Sequence, residues 1–97
     1  MGETDDFEWD DTKDALNHAK HGIPLVAAAR IFDDGDRIET ISEASTVEET
    51  RIVAIGRANT RILTCVFVWR AGKRRVISVR IASRKERRAY EKTFGNG

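Results

Sequence analysis

The chain has 97 residues, which is enough for one domain, residues 1–97, with a modest core. Its hydrophobic content of 40% excludes a globally disordered chain, and no run approaches the roughly 18 apolar residues of a membrane helix. The total charge of +1 is divided unevenly, because residues 1–50 hold 4 Lys and Arg against 14 Asp and Glu, whereas residues 51–97 hold 13 against 2.

The first half of the chain predicts one short strand and two helices. Phe7-Glu8-Trp9 alternates apolar and polar residues as a strand does. Asp10 or Asp11 is expected to cap a first helix over Thr12 to His21, which Gly22 ends. The apolar side of this helix is narrow and consists of Ala15, Leu16 and Ala19.

A second helix is predicted from Pro24, which suits the first turn of a helix, to the Asp33-Asp34-Gly35 stop. Its apolar residues recur at helical spacing and form one face: Leu25, Ala28, Ala29 and Phe32. The acidic first fourteen residues hold no apolar segment, so we expect no secretory signal and a cytoplasmic protein.

The second half predicts a strand meander followed by a helix. The predicted strands cover residues 37–41, 51–56, 62–69 and 75–82, with a loop over 42–49, a turn at 58–60 and a glycine-containing hairpin turn at 70–73. In the last strand, Ile77, Val79 and Ile81 are expected to face the core, with Arg80 on the opposite side. Cys65, alone in an apolar strand, is expected to be buried.

The final helix is predicted to begin at Ser83 and to run to about Lys92, with Gly95 beyond it. Ser83 and Glu86 have the spacing of a capping box, in which each side chain accepts a hydrogen bond from a backbone amide. The resulting order, β-α-α-β-β-β-β-α, predicts an α+β fold with a mainly antiparallel sheet and helices packed on it.

Ten of the thirteen cations in the second half are arginine, the side chain best suited to two-pronged phosphate contacts. We therefore expect a basic surface for a polyanion, with neutralisation by the acidic half as the alternative. The hypothesis for the site is that Arg51, Arg80, Arg87 and Tyr90 converge on a concave patch that holds a phosphodiester. For Arg80, a salt bridge to the acidic half is the alternative.

Such a patch predicts RNA cleavage by transesterification. A base takes the proton from the ribose 2′-OH, which attacks the adjacent phosphate, an acid protonates the leaving 5′-oxygen, and arginines stabilise the added negative charge. RNA supplies its own nucleophile, so neither a metal nor a cofactor is expected. His18 and His21 have a spacing that could bind zinc, but no third ligand is evident.

Several candidates keep a structural alternative. His21 is a candidate acid or base, or a cation favoured at the end of a helix. Glu86 is a candidate base, or only a cap, and Tyr90 is a catalytic candidate, or a packing residue. Lys20, Arg75 and Arg84 are expected to bind substrate. Trp9 and Trp69 could stack on bases, or pack in the core or against a partner.

These motifs together resemble the BrnT family of toxins over about residues 6–91. The matching residues form an opening block, a Lys-His-Gly segment and a C-terminal pattern: Phe7-Glu8-Trp9-Asp10, Lys13, Asn17, Lys20-His21-Gly22, Ile31-Phe32, Asp34, Glu49, Arg51, Ile55-Gly56, Arg61-Ile62-Leu63, residues 75–80, Ala82, Glu86-Arg87 and Tyr90. The sequence departs from the pattern at Thr50, at Val79 and over residues 36–48.

The resemblance implies a RelE-like ribonuclease fold and a toxin that arrests translation by cutting RNA. It also implies a BrnA-like antitoxin that forms a hetero-oligomer with the toxin and binds operator DNA on its behalf, with no membrane partner. Arg51, Arg80 and Glu86-Arg87 are the residues it marks as functional, together with Lys20 and His21.

Two other functions compete with the ribonuclease. A non-catalytic module would use the same basic sheet face to bind RNA or a partner without cutting. A DNA-binding repressor is disfavoured because residues 58–80 are predicted as sheet and no helix-turn-helix is evident.

Overall fold

A computed structural model describes residues 1–93 and shows an α+β fold, as predicted. The elements, in chain order, are β1 (Gly2–Glu3), β2 (Phe7–Trp9), α1 (Asp11–His21), a 3₁₀ turn (Leu25–Ala27), α2 (Ala28–Phe32), β3 (Ile38–Ile41), β4 (Ile52–Ala58), β5 (Arg61–Arg70), β6 (Lys73–Ile81) and α3 (Arg84–Lys92). Strand β1 was not predicted, and the predicted position of Gly95 lies outside the described residues. None of the described helices is long and apolar enough to cross a membrane.

All six strands form one sheet in the order β1-β2-β6-β5-β4-β3. The meander β3–β6 is antiparallel throughout, and β1 pairs antiparallel with β2. Strand β2 runs parallel to β6, so the sheet is mixed rather than antiparallel only. This parallel pair arises because α1 and α2 carry the chain away between β2 and the meander.

The sheet buries side chains on both faces. On the first face, α2 and the 3₁₀ turn cover a core cluster built around Leu25, Ile31, Leu63 and Phe67, each at most 1% exposed. Cys65 belongs to the same cluster, as predicted, and its burial raises the pKa of its thiol to about 12. On the second face, α3 packs over one end of the sheet, where Tyr90 joins a smaller cluster.

Helix α2 approaches β4 closely at Gly56. A side-chain Cβ at this position would meet Ile31 Cγ2 at 3.0 Å, Arg37 Cβ at 3.1 Å and the Ile31 carbonyl oxygen at 3.1 Å. Glycine therefore fits here because of the close packing of a helix on a strand.

Helix α1 corrects a prediction. Ala15, Leu16 and Ala19 are exposed, and the only buried residue of the helix is Asn17. The Asn17 amide Nδ2 donates to the carbonyl oxygens of Ile23 and Val79, both at 2.8 Å, and its Oδ1 accepts from the Val79 amide at 3.2 Å. Both backbone groups of Val79 point to the outer edge of β6, beyond the short β2 pairing, so a polar side chain rather than an apolar stripe docks α1.

The prediction of which β6 side chains face the core was also wrong in part. A register irregularity beside Val66 and Phe67 pairs Phe67 with Val76 and Val66 with Ser78. Val76 and Val79 therefore both enter the first-face core, at 1% and 0% exposure, while Ile81 is 42% exposed. Simple alternation failed because the extra residue of a bulge inverts the facing of all residues on one side of it.

The hairpin and the caps follow the predictions. Ala71 and Gly72 both have positive φ, 51° and 82°, as the two central residues of a tight hairpin turn require. Asp10 caps α1 by accepting from two amides, and Gly22 ends it in the left-handed conformation. The second helix differs, because Pro24 precedes a 3₁₀ turn that becomes α-helical only at Ala28.

Candidate functional site

Arg80 lies on the second face of the sheet in the row Ile55–Thr64–Arg80, beside the start of α3. Its Nη1 and Nη2 donate to Oε1 and Oε2 of Glu86 at 2.6 and 2.7 Å. The side chain remains 37% exposed. The alternative expected for Arg80, a salt bridge to the acidic half of the chain, is therefore wrong, because its carboxylate partner comes from α3.

Glu86 is held by more than Arg80. Its Oε1 also accepts from the Thr64 hydroxyl at 3.0 Å and from the Ser83 amide at 2.8 Å, and the Ser83 hydroxyl accepts from the Glu86 amide at 3.1 Å. The predicted capping box is thus confirmed. The bidentate Arg80 guanidinium, outweighing the opposing effect of burial, lowers the pKa of Glu86 to about 2.

This environment decides what Glu86 can do. A carboxylate whose pKa is near 2 is a poor proton acceptor at neutral pH, because general bases work best when their pKa is close to the working pH. The arrangement instead fixes the guanidinium of Arg80. Among residues 1–93, the edge formed by Nε and Nη2 of Arg80 has no other acceptor, so it can offer two parallel donors to a phosphate.

Arg51 and Arg75 lie at the other end of the sheet, and both have carboxylate partners. Arg51 directly precedes β4 and pairs with Glu49 at 3.0 Å. Arg75 pairs with Glu8 at 2.9 Å and stands opposite Val68. Their partners on β5 show the separation: Arg75 pairs with Val68 and Arg80 with Thr64, four positions apart, which corresponds to about 13 Å along the strand.

The side chain of Tyr90 is buried and bonded to Asp34 rather than presented beside Arg80. It is 1% exposed, and its hydroxyl donates to Asp34 Oδ2 at 2.5 Å. Burial, followed by the Asp34 carboxylate, raises the pKa of Tyr90. It lines a cavity of about 380 Å³ together with Arg30, Asp33, Asp34, Asp36, Arg57 and Asn59.

The remaining candidates lie on helices. Lys20 is exposed and His21 half-buried in the last turn of α1, one turn beyond the Asn17 contact with Val79. Arg84 and Arg87 are exposed on α3. Trp9 is half-buried against the core, and Trp69 is 54% exposed with its ring edge-on to Phe67 at 5.7 Å.

The structure therefore does not gather the four residues Arg51, Arg80, Arg87 and Tyr90 into one patch. It joins Arg80 directly to Glu86, places Arg87 next to Glu86 on α3, sets Arg51 apart and directs Tyr90 to Asp34. The sequence did hold a signal for Glu86 as the partner of Arg80. The capping-box spacing of Ser83 and Glu86 fixes the start of α3 immediately after β6, which brings Glu86 close to Arg80.

Two features were not predicted from the sequence. Thr64, fully buried, completes the set of donors to Glu86. Arg74 places its guanidinium carbon 4.1 Å from the Phe32 ring centre and 4.6 Å from that of Trp69, and its buried Nε has no hydrogen-bond partner among the described residues. These cation–π contacts join β6 to α2 at the hairpin end of the sheet.

Comparison with known proteins gives a family match that covers most of the chain. The match is to the ribonuclease toxin BrnT of type II toxin–antitoxin systems, and it spans residues 9–86, which include Arg51, Arg80 and Glu86. A comparison with curated proteins found no match. Because the family match covers well over half of the 97 residues and agrees with the resemblance seen in the sequence, the chain belongs to the BrnT family of type II toxin–antitoxin ribonuclease toxins.

Proposed function

We propose that this chain is a toxin that cleaves RNA by metal-independent transesterification, with Arg80 as the phosphate-binding residue of the site. The observation that carries the proposal is the Arg80–Glu86 pair, because it leaves a fixed, partly exposed guanidinium edge on the open part of the sheet face. The family match supports nuclease activity for the family as a whole.

The surface beside Arg80 suits a bound nucleotide. The next row along the sheet is Val53–Val66–Ser78, in which all three residues are half-buried. Such a row offers a mostly apolar floor beside a cation, on which a base can lie while its phosphate meets Arg80. Arg51 and Arg75 lie one row further and are placed to contact a more distant part of the strand.

The chemistry then divides between the site and the substrate. The ribose 2′-oxygen attacks phosphorus, the bond to the 5′-oxygen breaks, and that oxygen takes a proton. The two donors on the Nε–Nη2 edge of Arg80 stabilise the additional negative charge on the phosphorane oxygens. His21 is the proposed proton carrier, which takes the proton of the 2′-OH and gives one to the 5′-oxygen, since imidazole can both accept and donate protons. It ends α1, the helix that Asn17 docks on β6 at Val79, the residue before Arg80.

The rest of the proposal follows from the family. An antitoxin partner, a BrnA-like protein in the terms of the resemblance, would bind this chain as a hetero-oligomer and carry the DNA-binding function. A RelE-like architecture and arrest of translation are the corresponding expectations for the fold and for the cellular effect.

One observation favours the alternative, a module that binds RNA without cutting it. Glu86, the carboxylate nearest to Arg80, is already engaged by four donors and has a pKa of about 2. The nuclease therefore needs a proton carrier from another element, and a protein without one would only bind.

Overexpression in bacteria without the antitoxin tests the proposal. We expect the wild type to stop growth. Arg80→Ala should abolish the arrest, because the guanidinium that binds the phosphate is lost. Arg61→Ala is the matched control, since Arg61 is exposed and forms no ion pair within residues 1–93. A soluble, folded Arg80→Ala protein that remains fully toxic would assign Arg80 a structural role.

A further inference from the structure

Two groups of cations in this protein differ in whether they have carboxylate partners. The ion pairs of the sheet and its adjoining segments engage Arg37, Arg51, Lys73, Arg75 and Arg80, each with a carboxylate. Helix α3 carries five more cations, all exposed, and within residues 1–93 none of them forms an ion pair or a side-chain hydrogen bond: Arg84, Lys85, Arg87, Arg88 and Lys92.

Three of these cations form a line on the outer side of α3. Arg84, Arg88 and Lys92 are spaced at i, i+4 and i+8, so they repeat about every 6 Å along one side of the helix. Glu86 and Tyr90 occupy the inner side, toward the sheet. Arg84, Lys85, Arg88, Ala89 and Lys92 border a groove of about 510 Å³.

We propose that this outer side of α3 is an RNA-binding exosite that holds the phosphate backbone of a segment flanking the cleavage site. The inference rests on the proposed function for the class of ligand, but it concerns a surface separate from Arg80. Arg80 lies under the inner side of the helix, and a helix with its side chains is about 10 Å wide, so one phosphate does not reach both surfaces.

The composition of the surface favours a polyanion over an acidic protein. Protein interfaces draw their affinity from buried aromatic or aliphatic anchors, and the only apolar side chain that α3 exposes is Ala89. A phosphate backbone needs no such anchor, since its binding comes from charge neutralisation and counterion release. Regularly spaced, unpaired cations meet that requirement.

The exosite predicts a dependence on RNA length. A trinucleotide fits at Arg80 alone, whereas a strand of twelve nucleotides extends past the helix and gains the outer contacts. Fluorescence anisotropy can measure how the affinity depends on RNA length, with 2′-O-methyl oligonucleotides of three and twelve nucleotides between 50 and 200 mM salt. These oligonucleotides are not cleaved, because the 2′-oxygen is blocked.

The test variant is Arg84→Gln/Arg88→Gln/Lys92→Gln. Its control, Lys13→Gln/Arg61→Gln/Arg70→Gln, removes as many exposed cations from α1 and β5. For the longer strand, we expect the test variant to lower the slope of log affinity against log salt by about 2, so that between 50 and 200 mM salt its affinity falls by a factor about 16 times smaller than that of the wild type. For the trinucleotide, we expect no difference from the wild type.

The outcomes separate the two proposals. Length-dependent loss of binding in the test variant supports the exosite even if the wild type never cleaves unblocked RNA. An unchanged slope for the longer strand, or an equal loss in the control, overturns it. A variant that binds RNA normally but no longer co-purifies with its antitoxin also overturns it, and assigns the helix to a protein interface.

Discussion

Glu86 illustrates how one residue serves the fold and the site together. As the third residue of α3 it completes the capping box, and through the same carboxylate it fixes Arg80. The spacing from Ser83 predicted the first role. The second role required knowing that Arg80 and Glu86 lie on opposite sides of a tight strand-to-helix turn, and the sequence offered several acidic residues as partners for Arg80.

The low pKa of Glu86 predicts a pH-dependent contribution to stability. Because the folded-state pKa, about 2, lies below the ordinary value of 4.5, the stabilisation is present above about pH 4.5 and is lost as the pH falls toward 2. Glu86→Gln retains the capping geometry and removes the charge. We expect its deficit in the free energy of unfolding to shrink between pH 6 and pH 3, as measured by urea denaturation.

Glu91→Gln is the control for that comparison, since Glu91 is exposed on the same helix and forms no ion pair in the described part of the chain. Its difference from the wild type should stay constant over the pH series. A Glu86→Gln deficit that is equally large at pH 6 and pH 3 would mean that the charge of Glu86 contributes no stability.

At the scale of elements, hydrophobic pattern and turn chemistry predicted the strands of the meander, the caps and both ends of α3. Strand β1 and the 3₁₀ start of the second helix were not predicted. Two further elements departed because the pattern carries no information about their contacts. The docking of α1 depends on the side-chain amide of Asn17, a polar residue that sequence pattern alone would place on the surface. Which side chains of β6 face the core depends on a bulge, and a strand sequence without glycine gives no signal for a bulge.

The contact of α2 with β4 makes a prediction at this scale. Gly56→Ala places a methyl group 3.0 Å from Ile31 Cγ2 and 3.1 Å from the Ile31 carbonyl oxygen, so helix and strand must separate. We expect a loss of about 2 kcal/mol in the free energy of unfolding, typical of overpacking. Thermal and urea denaturation measure it.

Gly35→Ala is the matched substitution for Gly56→Ala. A Cβ at Gly35 meets no atom within 4 Å, and its φ lies outside the left-handed range. This variant should be neutral or slightly more stable, because alanine restricts the unfolded chain. Equal stability of the two variants would show that α2 and β4 tolerate a wider separation than the structure indicates.

For the whole molecule, the charge asymmetry of the sequence predicted a basic surface but not its arrangement. Glu3, Glu8 and Glu49, all in the acidic half, neutralise Lys73, Arg75 and Arg51, which is the alternative considered for the charge pattern. The five cations of helix α3 are not neutralised in this way, since all are exposed and none forms an ion pair within residues 1–93. The candidate site is consequently smaller than predicted and centres on Arg80, with uncompensated charge beside it on α3.

Cleavage of single-stranded RNA by the purified protein in EDTA tests the central claim most directly. We predict fragments with 5′-hydroxyl and 2′,3′-cyclic phosphate ends, no cutting where the ribose is replaced by 2′-deoxyribose, and a rate at least about 100-fold lower for Arg80→Ala. Intact RNA at saturating protein, 5′-phosphate ends, or an Arg80→Ala protein that cuts as fast as the wild type would contradict the account.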